Sequence, residues 1–466
     1  MISDQQKVQH LYWRMGFGPP LRSVSEFSLK EDISILFSNS KNKTPLTLHD
    51  WDPVLAKEFR NMTTEDKAAY RKQERQARIQ INQDILDRFV NSKESLREKM
   101  TFFWMGHFAC RIANPVFIVK YFNTINSLAL GKFDVLLKAM IRNASLLQYL
   151  NNNQNRKSSP NENFARELME LFTLGIGNYT EQDVKEGARA LTGWGFDRFG
   201  EFVIRKEHHD TGNKKFLGKE GNFDGDDLAG IILSKPQCAH FITKKIYKFF
   251  VNDVPDEKIV QDLSTKFFNS GYDVELLIQN IVSSEWFYSE ENTGTKIKSP
   301  LELMAGMIRN FNIKFENPAT PIQLQKVLGQ LLFDPPNVAG WPGGRNWIDS
   351  SSLLYRMRMP EMLLQEAESI MAPKESFDNL ETLKTDQASG QGKKIKTTFD
   401  DSGFAKLFNE NDNIKSTTAI MNFLLQSPAQ KEKIDLILKL TSEDKGRERI
   451  FKTAIYTMSL PEYQLC

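Results

Sequence analysis

The sequence of 466 residues is short of cysteine and shows almost no excess of charge. Its three cysteines, Cys110, Cys238 and Cys466, are too few for a disulfide framework, and none has the C-x-x-C spacing of a zinc site. We expect Cys466 to be exposed. Lys and Arg total 61 against 59 Asp and Glu, so the net charge is +2. This balance gives no electrostatic argument for binding nucleic acid or an acidic membrane.

Long apolar runs and the commonest enzyme signatures are also missing. No run of apolar residues reaches the length of a membrane span. The opening segment MISDQQKVQHLYWRMGFGPP lacks the charged and apolar regions of a secretory signal. We therefore expect the chain as given to be cytoplasmic, or exported or periplasmic if a leader has been removed. The absence of Walker A, G-x-S-x-G, H-E-x-x-H and Rossmann motifs excludes those enzyme classes, but not enzymes in general.

Apolar residues recur near helical spacing almost throughout, which predicts a mainly α-helical fold. Only the segment from Trp194 to Leu217 has strand character, and we expect at most one short β-hairpin there. Because no linker separates halves of different composition, we predict a single multi-helix body. We divide it into a helical core over residues 1–373, a protruding polar insertion of doubtful order over 374–402, and C-terminal helices over 403–466 that pack on the body.

A long amphipathic helix, or two helices, is predicted from Thr64 to Glu98, with apolar residues near helical spacing. Its basic residues have Glu74 among them, and we interpret them as a solvated face, with a nucleic-acid patch as the alternative. These basic residues are Arg71, Lys72, Arg75 and Arg78.

The segment NENFARELMEL is predicted to form a helix with Asn163, Arg166, Glu167 and Glu170 on one face. Arg166 and Glu170 are four residues apart and can form an ion pair. Glu167 and Glu170 either point into one cleft, as metal ligands or an acid/base pair, or belong to an ordinary solvated face. No histidine stands nearby at helical spacing, so this is not a di-iron motif.

The segment HHDTGNKKFLG concentrates ionisable groups in a predicted loop. His208 or His209 could bind a metal together with Asp210, or act as a base held by that carboxylate. Lys214 or Lys215 could neutralise an anionic group of a ligand. The alternative is a turn in which Asp210 accepts hydrogen bonds from nearby backbone amides and the lysines are solvated.

Two aromatic segments carry further candidates. His107, within FFWMGHF, is expected to be a buried, hydrogen-bonded side chain, with metal ligation as the outside alternative. The loop PPNVAGWPGGRNW places Trp341, Arg345 and Trp347 among glycines. It either presents a stacking surface for a sugar and donors for an anion, or is a rigid loop anchored in the core by its two tryptophans.

Several of these segments occur together in a known order. RMGFGPP, PNENFARELMELFTLG with ARALTGW, HHDTGNKKFLG, PPNVAGWPGGRNW and the final LPEYQLC resemble the bacterial family called domain of unknown function 1800, over essentially the whole chain. The resemblance implies no catalytic residues, because that family has no established activity. It does imply a protein that is often exported. It also implies a partner, since neighbouring genes often encode domain of unknown function 1501, which is similar to sulfatases and phosphatases.

Two hypotheses for the function follow. The first is a hydrolase that acts on a polar, anionic or carbohydrate substrate. Its catalytic residues would be Glu167, Glu170, His209 and Asp210, and its substrate-binding residues Arg166, Lys214, Trp341 and Arg345. A divalent metal ion would be held by Glu167, His209 and Asp210, with His107 as an outside candidate. The second is a non-catalytic helical binding protein that works with a sulfatase-like partner of the domain of unknown function 1501 family.

Overall fold

The computed structural model of the protein describes residues 3–48, 51, 56–365, 394–408 and 411–466. These residues are mainly α-helical, which confirms the predicted fold class. The helices of the first 200 residues are α1 (Asp4–Met15), α2 (Leu29–Asn39), α3 (Ala56–Asn61), α4 (Thr64–Asn91), α5 (Ser95–His107), α6 (Pro115–Leu128), α7 (Phe133–Ile141), α8 (Ala144–Tyr149), α9 (Asn163–Glu170) and α10 (Glu181–Ala190).

The remainder of the described chain is also built largely of helices. Its helices are α11 (Gly225–Leu233), α12 (Pro236–Phe250), α13 (Glu257–Asn269), α14 (Val274–Val282), α15 (Pro300–Phe311), α16 (Thr320–Val327), α17 (Ser350–Leu364), α18 (Ser402–Ala405), α19 (Asn413–Leu424), α20 (Lys431–Leu440) and α21 (Gly446–Met458). No helix among the described residues combines the length and the hydropathy that crossing a membrane requires.

Capping side chains mark several helix starts. Thr180 and Asp183 form a reciprocal capping box at the start of α10, where the sequence predicts a helix to begin. Asn114 accepts hydrogen bonds from the first backbone amides of α6, and Pro115 occupies its first turn. Proline is favoured there because its missing N–H would have no partner within the helix.

Three two-stranded antiparallel sheets occur among the described residues, where the sequence predicts at most one hairpin. The strands are β1 (Trp194–Phe196), β2 (Phe202–Ile204), β3 (Lys214–Phe216), β4 (Lys219–Gly221), β5 (Lys314–Phe315) and β6 (Thr397–Thr398). β1 pairs with β2, β3 with β4 and β5 with β6. Leu217 and Gly218 join β3 to β4 with φ values of 48° and 83°, as a tight two-residue turn requires.

The predicted polar insertion is described only in part. Residues 374–393 lie outside the described residues. Residues 394–402 lie against the body, because β6 pairs with β5 and the amide of Asp400 donates to the carbonyl oxygen of Phe311 at 2.9 Å. The C-terminal helices also contact the body, α18 through α15 and α21 through α17.

The hydrophobic core is one continuous cluster that includes side chains from α1 to the C-terminal helices. The long helix α4 enters it with its C-terminal half, through residues such as Ile85 and Phe89. Arg309 of α15 donates to the carbonyl oxygens of Phe89 and Val90, at 3.0 and 2.9 Å. These bonds fix the C-terminal end of α4, whereas its first turns are largely exposed.

Candidate functional site

The carboxylates of α9 lie on its partly exposed face, at the predicted helix. Arg166 pairs with Glu162 and, at 2.7 Å, with Glu181, and not with Glu170, which the four-residue spacing offered as a partner. Glu170 instead accepts a hydrogen bond from the hydroxyl of Tyr179. Glu167 makes no hydrogen bond or ion pair with its side chain to any described residue. Burial and the neighbouring Glu170 raise the pKa of Glu167 above its usual value.

The segment 206–214 is tied to α10 and to the turn after it. Arg189 of α10 donates to both carboxylate oxygens of Asp210, at 2.8 and 3.3 Å. A ring nitrogen of His209 lies 2.7 Å from the carbonyl oxygen of Thr192. The ammonium of Lys214 donates to the carbonyl oxygens of Asp210 and Gly212, at 2.7 and 2.9 Å. Local backbone and side-chain partners therefore engage these groups.

A metal site does not arise from these groups. No three His, Cys, Asp or Glu side chains lie close enough to hold one ion anywhere in the described part of the chain. The three-ligand site expected from Glu167, His209 and Asp210 is therefore not formed in this structure. The site does not form because Arg189 neutralises Asp210 and a ring nitrogen of His209 faces a backbone carbonyl oxygen. The catalytic roles of these residues stay predictions.

His107, the last residue of α5, is buried beside the segment that follows α9. Its Nε2 lies 3.1 Å from the carbonyl oxygen of Phe172, within a shell of aromatic rings that includes Trp104 and Phe108. Lys245 of α12 donates to the adjacent carbonyl oxygen of Leu171 at 3.2 Å. Burial, and then the charge of Lys245, lower the pKa of His107 well below its usual value. The two side chains thus satisfy backbone carbonyls that follow the last turn of α9.

The loop between Asp334 and Ile348 is anchored by one of its two tryptophans. Trp347 is buried, Trp341 is partly buried and Arg345 is exposed. Gly340 lies so close to α5 that a Cβ there would stand 2.6 Å from the carbonyl oxygen of Gly106. This close approach fixes the loop against the body, and the ligand-binding roles of Trp341 and Arg345 stay predictions.

A buried ion cluster joins α1 to the last residues of the chain. It consists of Arg14, Lys99, Lys298, Glu302 and Arg356, all of which are buried. Lys99 forms an ion pair with Glu302, and Arg356 donates to the carbonyl oxygen of Lys298 at 2.6 Å. Burial lowers the pKa of Lys298 to about 7.

The C-terminal segment closes this cluster. Lys298 donates to the carbonyl oxygen of Tyr463 at 2.7 Å and lies over its ring, and Arg356 donates to Gln464 at 2.9 Å. The backbones of Lys296 and Cys466 exchange two hydrogen bonds. Cys466 is consequently buried, so the expectation that it is exposed is wrong. Because its charges are enclosed, we interpret this cluster as structural.

An open cavity of about 280 Å³ lies between α4 and α16. One face of α4 lines it with Arg75, Arg78, Ile79 and Asn82, which stand at the three- and four-residue spacing of neighbours on a helix. The opposite wall comes from α16, and its residues are Ile322, Gln323 and Lys326. The floor is apolar and consists of Ile112, Ile118, Leu332 and Phe333, all buried.

The inner end of this cavity is held by a reciprocal amide pair. Asn82 donates to Gln325 at 3.0 Å, and Gln325 donates back to Asn82 at 2.7 Å. The floor residue Phe333 has φ of 61°, which is uncommon for a bulky side chain and costs on the order of 1–3 kcal/mol. Its carbonyl oxygen accepts the amide of Ile112 at 3.0 Å. Packing and hydrogen bonds thus preform the cavity.

Cations are in excess around the cavity. Arg111 pairs with Asp334 at 2.7 Å, which leaves Arg75, Arg78 and Lys326 without an ion pair to any described residue. The Nε of Arg78 is buried and lacks a hydrogen-bond partner among the described residues. Burial lowers the pKa of Lys326, the charge of Asp334 opposes this, and the charges of Arg75 and Arg78 lower it further. Arg75 and Arg78 therefore each lie close enough to Lys326 to repel it.

The chain matches the model of a known protein family. The family described as Protein of unknown function (DUF1800) matches residues 10–465. The chain belongs to the DUF1800 family. Neither the curated proteins nor the solved structures include a significant match.

Two of the DUF1800 segments named from the sequence meet at the buried ion cluster. Arg14 of RMGFGPP belongs to this cluster. Tyr463 and Gln464 of LPEYQLC contact it. Asp334, directly before PPNVAGWPGGRNW, lines the cavity and pairs with Arg111. The sequence predictions missed this cavity, although the spacing of Arg75, Arg78 and Ile79 was a signal for a shared helix face.

Proposed function

We propose that this DUF1800 protein is a non-catalytic helical binding protein for a small organic anion, which it holds in the cavity between α4 and α16. The observation that carries the proposal is the set of three cations, Arg75, Arg78 and Lys326, that face an apolar cavity without an ion-pair partner among the described residues. Cavities that are mostly apolar, with a few convergent polar groups, are the usual form of small-molecule sites.

The energetics favour an anion over a neutral ligand. A hydrogen bond to a charged group contributes about 1.5–3 kcal/mol, and an anion would also reduce the repulsion that lowers the pKa of Lys326. Arg78 supplies a buried Nε donor for such a bond. The cations are partly exposed, so their long-range attraction weakens as salt rises.

Fluorescence titration with 8-anilinonaphthalene-1-sulfonate, an apolar molecule with one anionic group, tests this function. We expect the dye to bind, and Arg78→Met with Lys326→Met to weaken binding at least tenfold, because two charge-assisted contacts are lost. Lys72→Met removes one positive charge from an exposed position on the same helix and should leave binding unchanged. Equal binding by all three proteins would contradict the proposal.

A second candidate function is a hydrolase centred on Glu167, acting on a polar, anionic or carbohydrate substrate. The pKa of Glu167, raised by burial and by the charge of Glu170, favours it, because a carboxyl group with a raised pKa is suited to general acid catalysis. If it is correct, the protein hydrolyses one of a panel of nitrophenyl glycosides, sulfates and phosphates, and Glu167→Gln abolishes that activity without changing Tm. The exposed Glu285→Gln is the control. No hydrolysis across the panel would contradict this candidate.

The partner and location suggested by the family resemblance also stay predictions. They are a sulfatase-like protein of the domain of unknown function 1501 family and either a cytoplasmic or an exported chain. Co-purification of the two proteins after co-expression would test the partner, and two separate elution peaks would count against it.

A further inference from the structure

The cavity between α4 and α16 is lined by both cationic and apolar side chains, which limits the chemical class of ligand that it can hold. Arg75 and Arg78 lie three residues apart on α4 and line the cavity together with Lys326 of α16, so they define one cationic region. The floor is formed by side chains without polar atoms, among them Ile112 and Leu332. A ligand that fills the cavity therefore meets both unpaired positive charge and an extended apolar surface.

The polar side chains at the inner end already bond to each other. The side-chain amides of Asn82 and Gln325 exchange two hydrogen bonds, at 3.0 and 2.7 Å. The Gln325 oxygen also accepts the amide of Leu332 at 3.2 Å. A polar ligand group buried there would lose its hydration and meet partners that are already engaged, which is costly. The buried apolar floor beside this pair is suited to an apolar tail.

The dimensions limit the size of that tail. Arg75 and Asn82 are seven residues apart on α4, which spans about 10 Å along the helix axis. The volume of about 280 Å³ lies just below the range of roughly 300–1,000 Å³ typical of sites for drug-sized ligands. A single unbranched chain of medium length fits this space, whereas a long acyl chain would protrude into solvent.

We propose that the natural ligand is a single-chain aliphatic amphiphile of medium length with an anionic head, bound with its head at Arg75, Arg78 and Lys326 and its chain along the apolar floor. This inference rests on the proposed function and adds the class of ligand. Arg111, the fourth cation that lines the cavity, is paired with Asp334, which leaves the three unpaired cations as the head site. Fatty carboxylates and alkyl phosphates share this chemistry.

Isothermal titration of the full chain with hexanoate, octanoate and decanoate tests the ligand class. Each added methylene should strengthen binding about three- to fourfold until the cavity is full. Decanol, which has the same chain without the charge, should bind at least tenfold more weakly than decanoate. Ile79→Ser and Ile322→Ser, both at partly exposed positions, should each flatten the dependence on chain length, and two separate positions guard against misfolding of either variant.

The dye titration and the carboxylate titration together distinguish an error in the ligand class from an error in the proposed function. If 8-anilinonaphthalene-1-sulfonate binds at the cations but affinity for the carboxylates does not depend on chain length, the ligand class is wrong and the function stands. If neither the dye nor any carboxylate binds, both are wrong. Decyl phosphate is the second arm: whichever of it and decanoate binds more tightly identifies the head group, and both results support the amphiphile.

Discussion

Replacing Glu302 by Gln removes the negative charge that Lys99 needs in the interior. The Lys99 ammonium is 1% exposed and donates to Glu302 and to the carbonyl oxygens of Gly16 and Trp13, at 2.7 and 3.1 Å. Breaking a buried ion pair from one side costs about 3–5 kcal/mol, because the remaining charge is left without its counter-ion. We therefore expect Glu302→Gln to lower the free energy of unfolding by about that amount.

The same pair predicts a dependence on pH. Burial alone would favour the neutral carboxyl, but Lys99, Lys296 and the Ser299 amide lower the pKa of Glu302 from 4.5 to about 2. A lowered pKa in the folded state stabilises the protein above the unfolded value and is lost as pH falls through the folded value. The contribution is about 3 kcal/mol. It should be present above pH 4.5 and disappear towards pH 2.

Equilibrium urea unfolding, followed by circular dichroism from pH 7 to pH 2, measures both effects. The difference between wild type and Glu302→Gln should shrink as pH falls below 4.5. Asp262→Asn is the control, since its ion pair with Lys266 is exposed on both sides and contributes about 0–1 kcal/mol. A loss below about 1 kcal/mol in Glu302→Gln, with an unchanged acid profile, would refute the reasoning.

Two further predictions concern backbone contacts. Gly340→Ala should destabilise the protein by about 2 kcal/mol or more, because φ is 86° and the new Cβ meets the carbonyl oxygen of Gly106 at 2.6 Å. Gly343→Ala, at φ of 69° with open space around it, should cost less in the same unfolding assay, and an equal loss would contradict this. His107→Leu leaves the Phe172 carbonyl unpaired and should cost about 1–3 kcal/mol. Unchanged stability would contradict it.

Helices that are marked by apolar spacing and by nearby capping residues could be predicted from the sequence. The helix at Asn163–Glu170 and the start of α10 at Thr180 follow from apolar spacing and capping residues that stand next to one another in the chain. The sequence does not distinguish the strands β3 and β4 from a loop, because three-residue strands carry too little alternation of apolar and polar residues. Pairing across a tight turn defines them instead.

The candidate cavity could not be predicted because it depends on contacts between distant segments. Arg75 and Arg78 look like part of a solvated face until α16, more than 240 positions further along, is placed opposite them. Conversely, Asp210 and Lys214 carry a conspicuous concentration of charge, but Arg189 and nearby carbonyls engage them locally. Density of ionisable residues in a sequence does not reveal which of them have partners in the fold.

The fixed end of α4 has a consequence for the exchange of its backbone hydrogens. Arg309 holds the carbonyls of Phe89 and Val90, and the adjoining half of the helix is buried, so amides there open only with large-scale unfolding. The exposed first turns can fray independently. The cavity residues Arg75 to Asn82 lie at the transition between these two regimes. Occupancy of the cavity would therefore move the boundary of slow exchange along α4 towards its N-terminus, a readout that requires no knowledge of the ligand.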